Sequence, residues 1–258
     1  MYKHLTRLLS TEMAFRLMMS NIRIIDRMPF ARGMLKFFYR ERKICSRNVF
    51  NIAFDNPVGL GPGIDRTGEL YDTFHRYGFS FVETGPMDRQ KILSGIKHIQ
   101  TNKPEGIMGL CINKDHLETF SLAYDFADFF DIDLNEDEVV GTMGQILDTR
   151  LTYEEYKPVI LRLSHYISKE SLQTILDFCM LNGVDGIAVG KAENVKIVHD
   201  YTKGRFPIIG YGGIRSPQDA EAMLDAGASL VEVTTGLVLD GPSLVQKILR
   251  HLKSKQQI

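Results

Sequence analysis

The sequence is poor in cysteine: Cys45, Cys111 and Cys179 are odd in number, far apart and form no C-x-x-C pair. Such a set argues against a disulfide framework and a clustered zinc site, and it suits a reducing, cytoplasmic setting. No apolar run approaches the ~20 residues of a membrane-spanning helix. Lys3, Arg7, Glu12 and Arg16 interrupt the N-terminus where a secretory signal would be apolar. The G-x-G-x-x-G fingerprint of dinucleotide-binding sheets, with its downstream ribose acid, is missing. Metal-ligand spacing, an adequate set of nucleophile, base and orienting residue, and any recognised nucleic-acid-binding motif are missing too. Neither a metal nor a nucleic acid is an expected partner.

Net charge is small, −1, but its distribution is not even. Residues 1–48 hold eleven Lys and Arg against Glu12, Asp26 and Glu41, a net +8 that leaves −9 on residues 49–258. A basic head on an acidic body suggests a surface task for the head, such as contact with an anionic membrane or an acidic partner. In that head Leu5, Leu8, Leu9, Met13, Leu17 and Met18 recur at helical spacing, and a second helix is expected from Phe30 to Arg42. Their apolar stripe suits docking at the inner face of a membrane, and it suits packing across the body at least as well.

From Val49 a beat of about 25 residues sets in, in which short apolar runs alternate with helical patterns. Val49 to Phe54 reads as part of a β-hairpin that plugs a barrel floor. The runs that follow are Pro57–Gly61, Phe79–Thr84, Gly106–Ile112, Asp128–Leu134, Val159–Leu163, Val184–Gly190, Ile208-Ile209 and Ser229–Thr235. Continuous apolar runs are the mark of parallel strands buried on both faces. Eight of them at this size predict a single (β/α)8 barrel over 49–258 with an N-terminal helical extension over 1–48.

The last two runs end in complementary chemistry. Gly210-Tyr211-Gly212-Gly213 leads to Ser216-Pro217, an N-cap and first helical turn, while the other strand ends in Thr234-Thr235-Gly236. Bare backbone beside hydroxyls and a helix N-terminus suits a phosphate, in the place where such barrels commonly bind one. The other strand ends offer Gly61, Gly63, Asp65 and Arg66, then Cys111 and Asn113, then Asp131, Asp133 and Asn135 on alternating positions. Arg162 and Lys191 are cations from neighbouring strands that could pair with these acids, either as a plug or around an anionic ligand. Cys111 is a candidate thiolate near Arg66 or a small core residue, and His165 a candidate acid or base or an exposed loop residue.

Asn56 to Arg66, Gly78 to Glu83 and Pro207 to Pro242 together resemble dihydroorotate dehydrogenase, the flavin enzyme of pyrimidine synthesis. The basic helical head resembles its membrane-associated, quinone-using class. The resemblance runs across nearly the whole chain and is thin between Met87 and Tyr156. It implies an FMN oxidoreductase, with FMN across the barrel mouth and its phosphate held by Gly212, Gly213, Thr234 and Thr235. Pro62, Gly63 and Arg66 would lie beside the flavin ring, and both Arg66 and Arg162 stand where the family has lysine. On the substrate side Asp133 and Lys191 stand where the family has asparagines, with Arg66 as a further pocket candidate, and Cys111 replaces an asparagine that contacts flavin. The family's serine base has no counterpart in Asn135-Glu136-Asp137-Glu138, and two family segments, after strands two and six, are missing. Each lost donor costs on the order of 1–3 kcal/mol of substrate recognition, and a missing base forfeits roughly 10²–10⁴-fold. The alternative is a catalytically inactive barrel that binds a phosphate-bearing ligand or a protein partner.

Overall fold

The computed structural model describes residues 10–38, 43–94, 106–163 and 168–255. Helix α1 (Thr11–Arg27) starts at Ser10, whose side chain accepts the Met13 amide hydrogen and so satisfies an orphan donor of the first turn. It runs well past the apolar stripe read from the sequence, whose first members lie outside the described residues. Helix α2 (Pro29–Phe38) opens on a proline, which has no amide hydrogen to lose at that position. The head lies on the barrel: Ala14, Met18, Met19 and Ile22 are buried, and Thr73 Oγ1 donates to Asp26 Oδ1 at 2.5 Å.

Strands β1 (Arg47–Val49) and β2 (Ile52–Phe54) form the expected hairpin. The chain reverses inside the run that the sequence suggested, because Phe50 and Asn51 both take positive φ, as a tight hairpin turn of the strand-matching hand requires. Arg47 fastens the hairpin to the barrel by donating to the carbonyls of Ala228 and Ser229 at 3.3 and 2.9 Å.

The expected (β/α)8 barrel forms. Its strands are β3 (Val58–Leu60), β4 (Phe81–Met87), β5 (Ile107–Ile112), β6 (Phe129–Asp133), β7 (Val159–Leu163), β8 (Gly186–Gly190), β9 (Ile208–Tyr211) and β10 (Leu230–Val233). They pair in parallel in chain order, and β10 closes on β3. Around them lie α3 (Tyr71–Arg76), α4 (His116–Ala123), α5 (Gly144–Arg150), α6 (Lys169–Asn182), α7 (Ala192–Thr202), α8 (Pro217–Asp225), α9 (Thr235–Asp240) and α10 (Ser243–Lys255). Ser168 and Ser216 cap α6 and α8 as their sequence signals indicate, and Gly183 ends α6 with φ 79°. Helix α9, against which α1 packs, has no clear signal in its six residues.

Alternation along each strand sorts the core into two sets. Val58, Leu60, Val82, Leu110, Phe130, Ile132, Leu161, Ile187, Ile208, Val231 and Val233 face outward under the helices. Phe81, Phe129, Ile160, Ala188, Ile209 and Leu230 face inward and meet Val49, Phe50 and Phe54 of the hairpin, which seals the floor. Phe54 meets Phe81 edge to face at 5.4 Å and Phe81 meets Phe129 at 5.9 Å, geometry that aromatic quadrupoles favour. Burying each of these rings stabilises the fold by about 1.5–3 kcal/mol.

Candidate functional site at the barrel mouth

Two residues above the floor, the same inward faces change from apolar to charged. Phe81 gives way to Glu83, Phe129 to Asp131, Ile160 to Arg162 and Leu230 to Glu232. All four charged side chains are buried. The guanidinium of Arg162 donates from Nε to Asp131 Oδ2 at 2.5 Å, and from one terminal nitrogen to Glu232 Oε1 and Oε2 at 2.8 and 2.9 Å and to Glu83 Oε2 at 3.1 Å. The same terminal nitrogen also contacts Asp131. The Tyr211 ring lies over the guanidinium with its centroid 4.7 Å away, and its hydroxyl donates to the Leu163 carbonyl at 2.8 Å.

Burial raises Asp131 to about 6, and the neighbouring guanidinium opposes that rise. Burial also pushes Glu83 well above the usual carboxylate range, reinforced by the charges of Glu232 and Asp131. Burial works against the charge on Arg162, yet the surrounding carboxylates outweigh it and hold the guanidinium well above its ordinary value. Cys111 sits beside this layer as a thiol: burial, then the Asp131 charge, push it up. Burial and that charge disfavour a thiolate at Cys111, and Arg66 lines a separate groove rather than the cavity beside it.

Above the charged layer is a cavity of about 200 Å³ lined by Pro62, Pro86, Cys111, Asp133, Arg162, Tyr211, Glu232 and Thr234. Its rim carries the two turns read from the sequence. Gly212 and Gly213 have φ of 82° and 78°, and a Cβ on either would meet nothing within 4 Å, so their backbone is open to a ligand. Gly236 lets the other turn approach, because a Cβ there would fall 2.1 Å from the Ile214 carbonyl oxygen. Ser216 caps α8 by accepting the Asp219 amide hydrogen at 3.2 Å.

Of the residues singled out in the sequence, Pro62, Asp133, Arg162, Cys111 and Thr234 meet around this cavity, with Gly63, Gly212, Gly213 and Thr235 in the turns at strand ends. Others lie elsewhere. Arg66 is exposed, donates from Nε to the Gly63 carbonyl, and lines a separate groove of about 380 Å³ with Phe15, Arg16, Met19, Arg23 and Leu70. Lys191 is exposed at the N-cap position of α7, with φ 69° and no side-chain cap bond, so it does not join the buried acids. Asn135 does not continue the inward face of β6: the chain turns there into a 3₁₀ segment, and its amide side chain donates to Glu138. Asp65 is buried, accepts the Gly68 and Leu70 amide hydrogens to hold its loop, and is raised to about 7 by burial against those bonds. Asn113 is exposed, and His165 lies outside the described residues. Glu83, Glu232 and Tyr211 were missed as site residues; for the two glutamates, a lone charge at an inward position of an apolar run was the available signal.

Residues 166–255 match the family model described as dihydroorotate dehydrogenase. A dihydroorotate dehydrogenase (quinone) of Idiomarina loihiensis is 24% identical over 306 aligned positions, spanning 86% of this chain and 91% of its own length. That of Shewanella frigidimarina is 25% identical over 320 positions, spanning 91% and 94%. Over most of its length the chain is similar to quinone-type dihydroorotate dehydrogenases. Both alignments are longer than the 258 residues of this chain, so these relatives carry segments that it lacks. The barrel also superposes on the ferulenol complex of DHODH from Eimeria tenella with a TM-score of 0.75 at 18% identity, covering 89% of this chain and 92% of that one. The ligand-free Eimeria tenella protein gives 0.74 at 19%, and at such identities the shared property is the fold.

Proposed function

We propose that this chain is an FMN-binding oxidoreductase of the dihydroorotate dehydrogenase type, with an altered substrate side. The observation that carries the reading is the pair of touching turns at the ends of β9 and β10, open at Gly212 and Gly213 and bearing hydroxyls at Thr234 and Thr235. These residues fit the phosphate end of FMN: bare amide N–H groups can donate to an anion, and the N-terminus of α8 adds its partial positive charge. Pro62, Gly63 and Arg162 would lie beside the flavin. FMN held there would supply a hydride acceptor. Asp133 and Glu232 then present carboxylates where an anionic substrate needs donors, so orotate-like anions are disfavoured.

A second reading, a phosphate-ligand barrel without redox chemistry, draws support from the cavity itself. About 200 Å³ is below the ~300–1,000 Å³ usual for ligand pockets, and the Tyr211 ring takes part of the mouth. Absorbance and fluorescence of the purified protein separate the two. Stoichiometric FMN that is lost in Gly212→Ala supports the first, and bleaching by dihydroorotate would extend it to the family substrate. Colourless protein whose melting temperature FMN does not move sinks it, and a shift with inorganic phosphate then favours the second.

The head supports a further part of the proposal, peripheral contact with an anionic membrane. Among the described residues no helix is long and apolar enough to cross a bilayer. Met13, Ile24, Met28, Phe30 and Met34 are exposed on α1, α2 and their junction, near Arg23 and Arg27. Such a face suits the interface of a bilayer with anionic headgroups. Co-sedimentation with liposomes should rise with anionic lipid and fall with salt; indifference to both leaves the head as barrel packing.

A further inference from the structure

The charged layer poses a problem that one guanidinium does not solve. Three carboxylates, Glu83, Asp131 and Glu232, surround Arg162, and if all are ionised the buried layer carries a formal −2. One carboxylate oxygen from each lies within 4.8 Å of the others. Glu83 Oε1 and Asp131 Oδ1 are buried and have no hydrogen-bond partner among the described residues. Buried acceptors without donors are costly, and so are like charges at this separation, whereas a proton between two carboxylates relieves both.

The geometry says which carboxylate carries that proton. Asp131 takes a 2.5 Å bond from Nε as well as a contact to a terminal nitrogen, and Glu232 accepts with both oxygens at 2.8 and 2.9 Å. Glu83 has one bond to Arg162, the longest of the set at 3.1 Å. It is therefore the acid least compensated by the cation. Among the described residues, the other titratable groups at this layer are Cys111 on β5, which feels the Glu83 charge, and Asp133 on β6 and Tyr211 on β9, which line the cavity above; none of them adds a positive charge. Strands β3 and β8 contribute only Gly59, Gly186, Ala188 and Gly190 at inward positions, with Gly61 just past the end of β3.

We propose that the barrel interior keeps one proton at neutral pH, carried by Glu83 and shared with Asp131 and Glu232, as a proton store beneath the mouth. Because Glu232 and Arg162 also line the cavity, this proton sets the charge that a ligand meets there. Binding at the mouth and protonation of the layer are then linked, each shifting the other by the same factor. The inference does not depend on which ligand the mouth takes. The elevated value of Glu83 points the same way.

Infrared spectroscopy of the intact protein in heavy water tests it directly. At about pH 8, above the values near 6 and 7 of Asp131 and Asp65, the carbonyl stretch of a protonated carboxyl should persist. It should shift when glutamate is labelled with carbon-13 at the carboxyl, and vanish in Glu83→Gln. Denaturation as a function of pH gives a second readout. A proton bound in the folded but not the unfolded state changes the folding equilibrium about tenfold per pH unit. Wild type should lose stability with rising pH above neutrality more steeply than Glu83→Gln, by up to that factor. A spectrum without the band, a band that glutamate labelling does not move, or equal pH slopes in the two proteins overturns the proposal. If Glu83→Gln does not fold, the labelled wild-type spectrum still decides.

Discussion

The barrel interior contains two layers built on the same strands, two residues apart, with opposite physics. The floor layer, Phe81, Phe129, Ile160, Ile209 and Leu230, is closed by the aromatic hairpin and stabilised by burying rings and aliphatic chains against one another. The layer above it, Glu83, Asp131, Arg162, Tyr211 and Glu232, is almost as closed to solvent and yet is held by charge. Apolar packing at the floor is insensitive to pH and tolerates similar volumes. Buried charges require every partner to be present, because removing one leaves the others desolvated and unpaired. The two layers differ in position: the apolar layer is sealed by the hairpin, and the charged layer borders the cavity at the mouth.

The largest expected effect separates the two layers. Arg162→Met strands three buried carboxylates and should cost about 3–5 kcal/mol near neutral pH, with a smaller loss in acid as they take up protons. Urea denaturation at several pH values checks this, and a loss that is the same at all of them would erase the contrast. Phe81→Ala leaves a cavity beside Phe54 and Phe129 and should cost about 3 kcal/mol or more, equally at every pH. A pH-dependent loss there would mean that the floor and the charged layer are one coupled unit.

A smaller effect concerns Asp131 alone. Its value is raised in the folded protein to about 6, so its contribution is complete below the ordinary carboxylate range near 4 and is lost as pH rises through about 6. Asp131→Asn should therefore remove on the order of 2–3 kcal/mol of the decline between acid and neutral pH, read from denaturation midpoints. The same fall in mutant and wild type would place the titration elsewhere, Asp65 being the other raised aspartate. Least of all, Phe30→Ser on exposed α2 should change stability by no more than about 0.5 kcal/mol while it reduces liposome binding. A large loss of stability would show that this face packs rather than docks.

Much of the architecture is legible in the residues themselves. Ser216-Pro217 predicts where α8 begins, Asn182-Gly183 where α6 ends, and the apolar runs predict eight buried strands, because these signals act over a few residues. The touching turns of Gly212-Gly213 and Thr234-Thr235 are legible for the same reason. Asp131 and Arg162 could be paired from strand alternation, but Asn135 could not be excluded, since its departure depends on where the chain turns away from β6. Arg66 and Lys191 share the charge of Arg162 and neither its direction nor its burial, which follow from a loop turned toward α1 and a residue with positive φ.

Alternation and turn chemistry by themselves determined that this chain makes a barrel whose last two strands end in a glycine turn and a threonine turn. Which charges meet inside it was decided only by tertiary structure. Glu83 and Arg162 are 79 residues apart, and Arg162 and Glu232 are 70 apart. Only closure of the sheet, β10 against β3, and the register of eight strands bring those positions to one height. The interaction that distinguishes the charged layer from the floor thus depends on long-range geometry, whereas hydrophobic burial at the floor is non-directional and needs only apolar residues at inward positions.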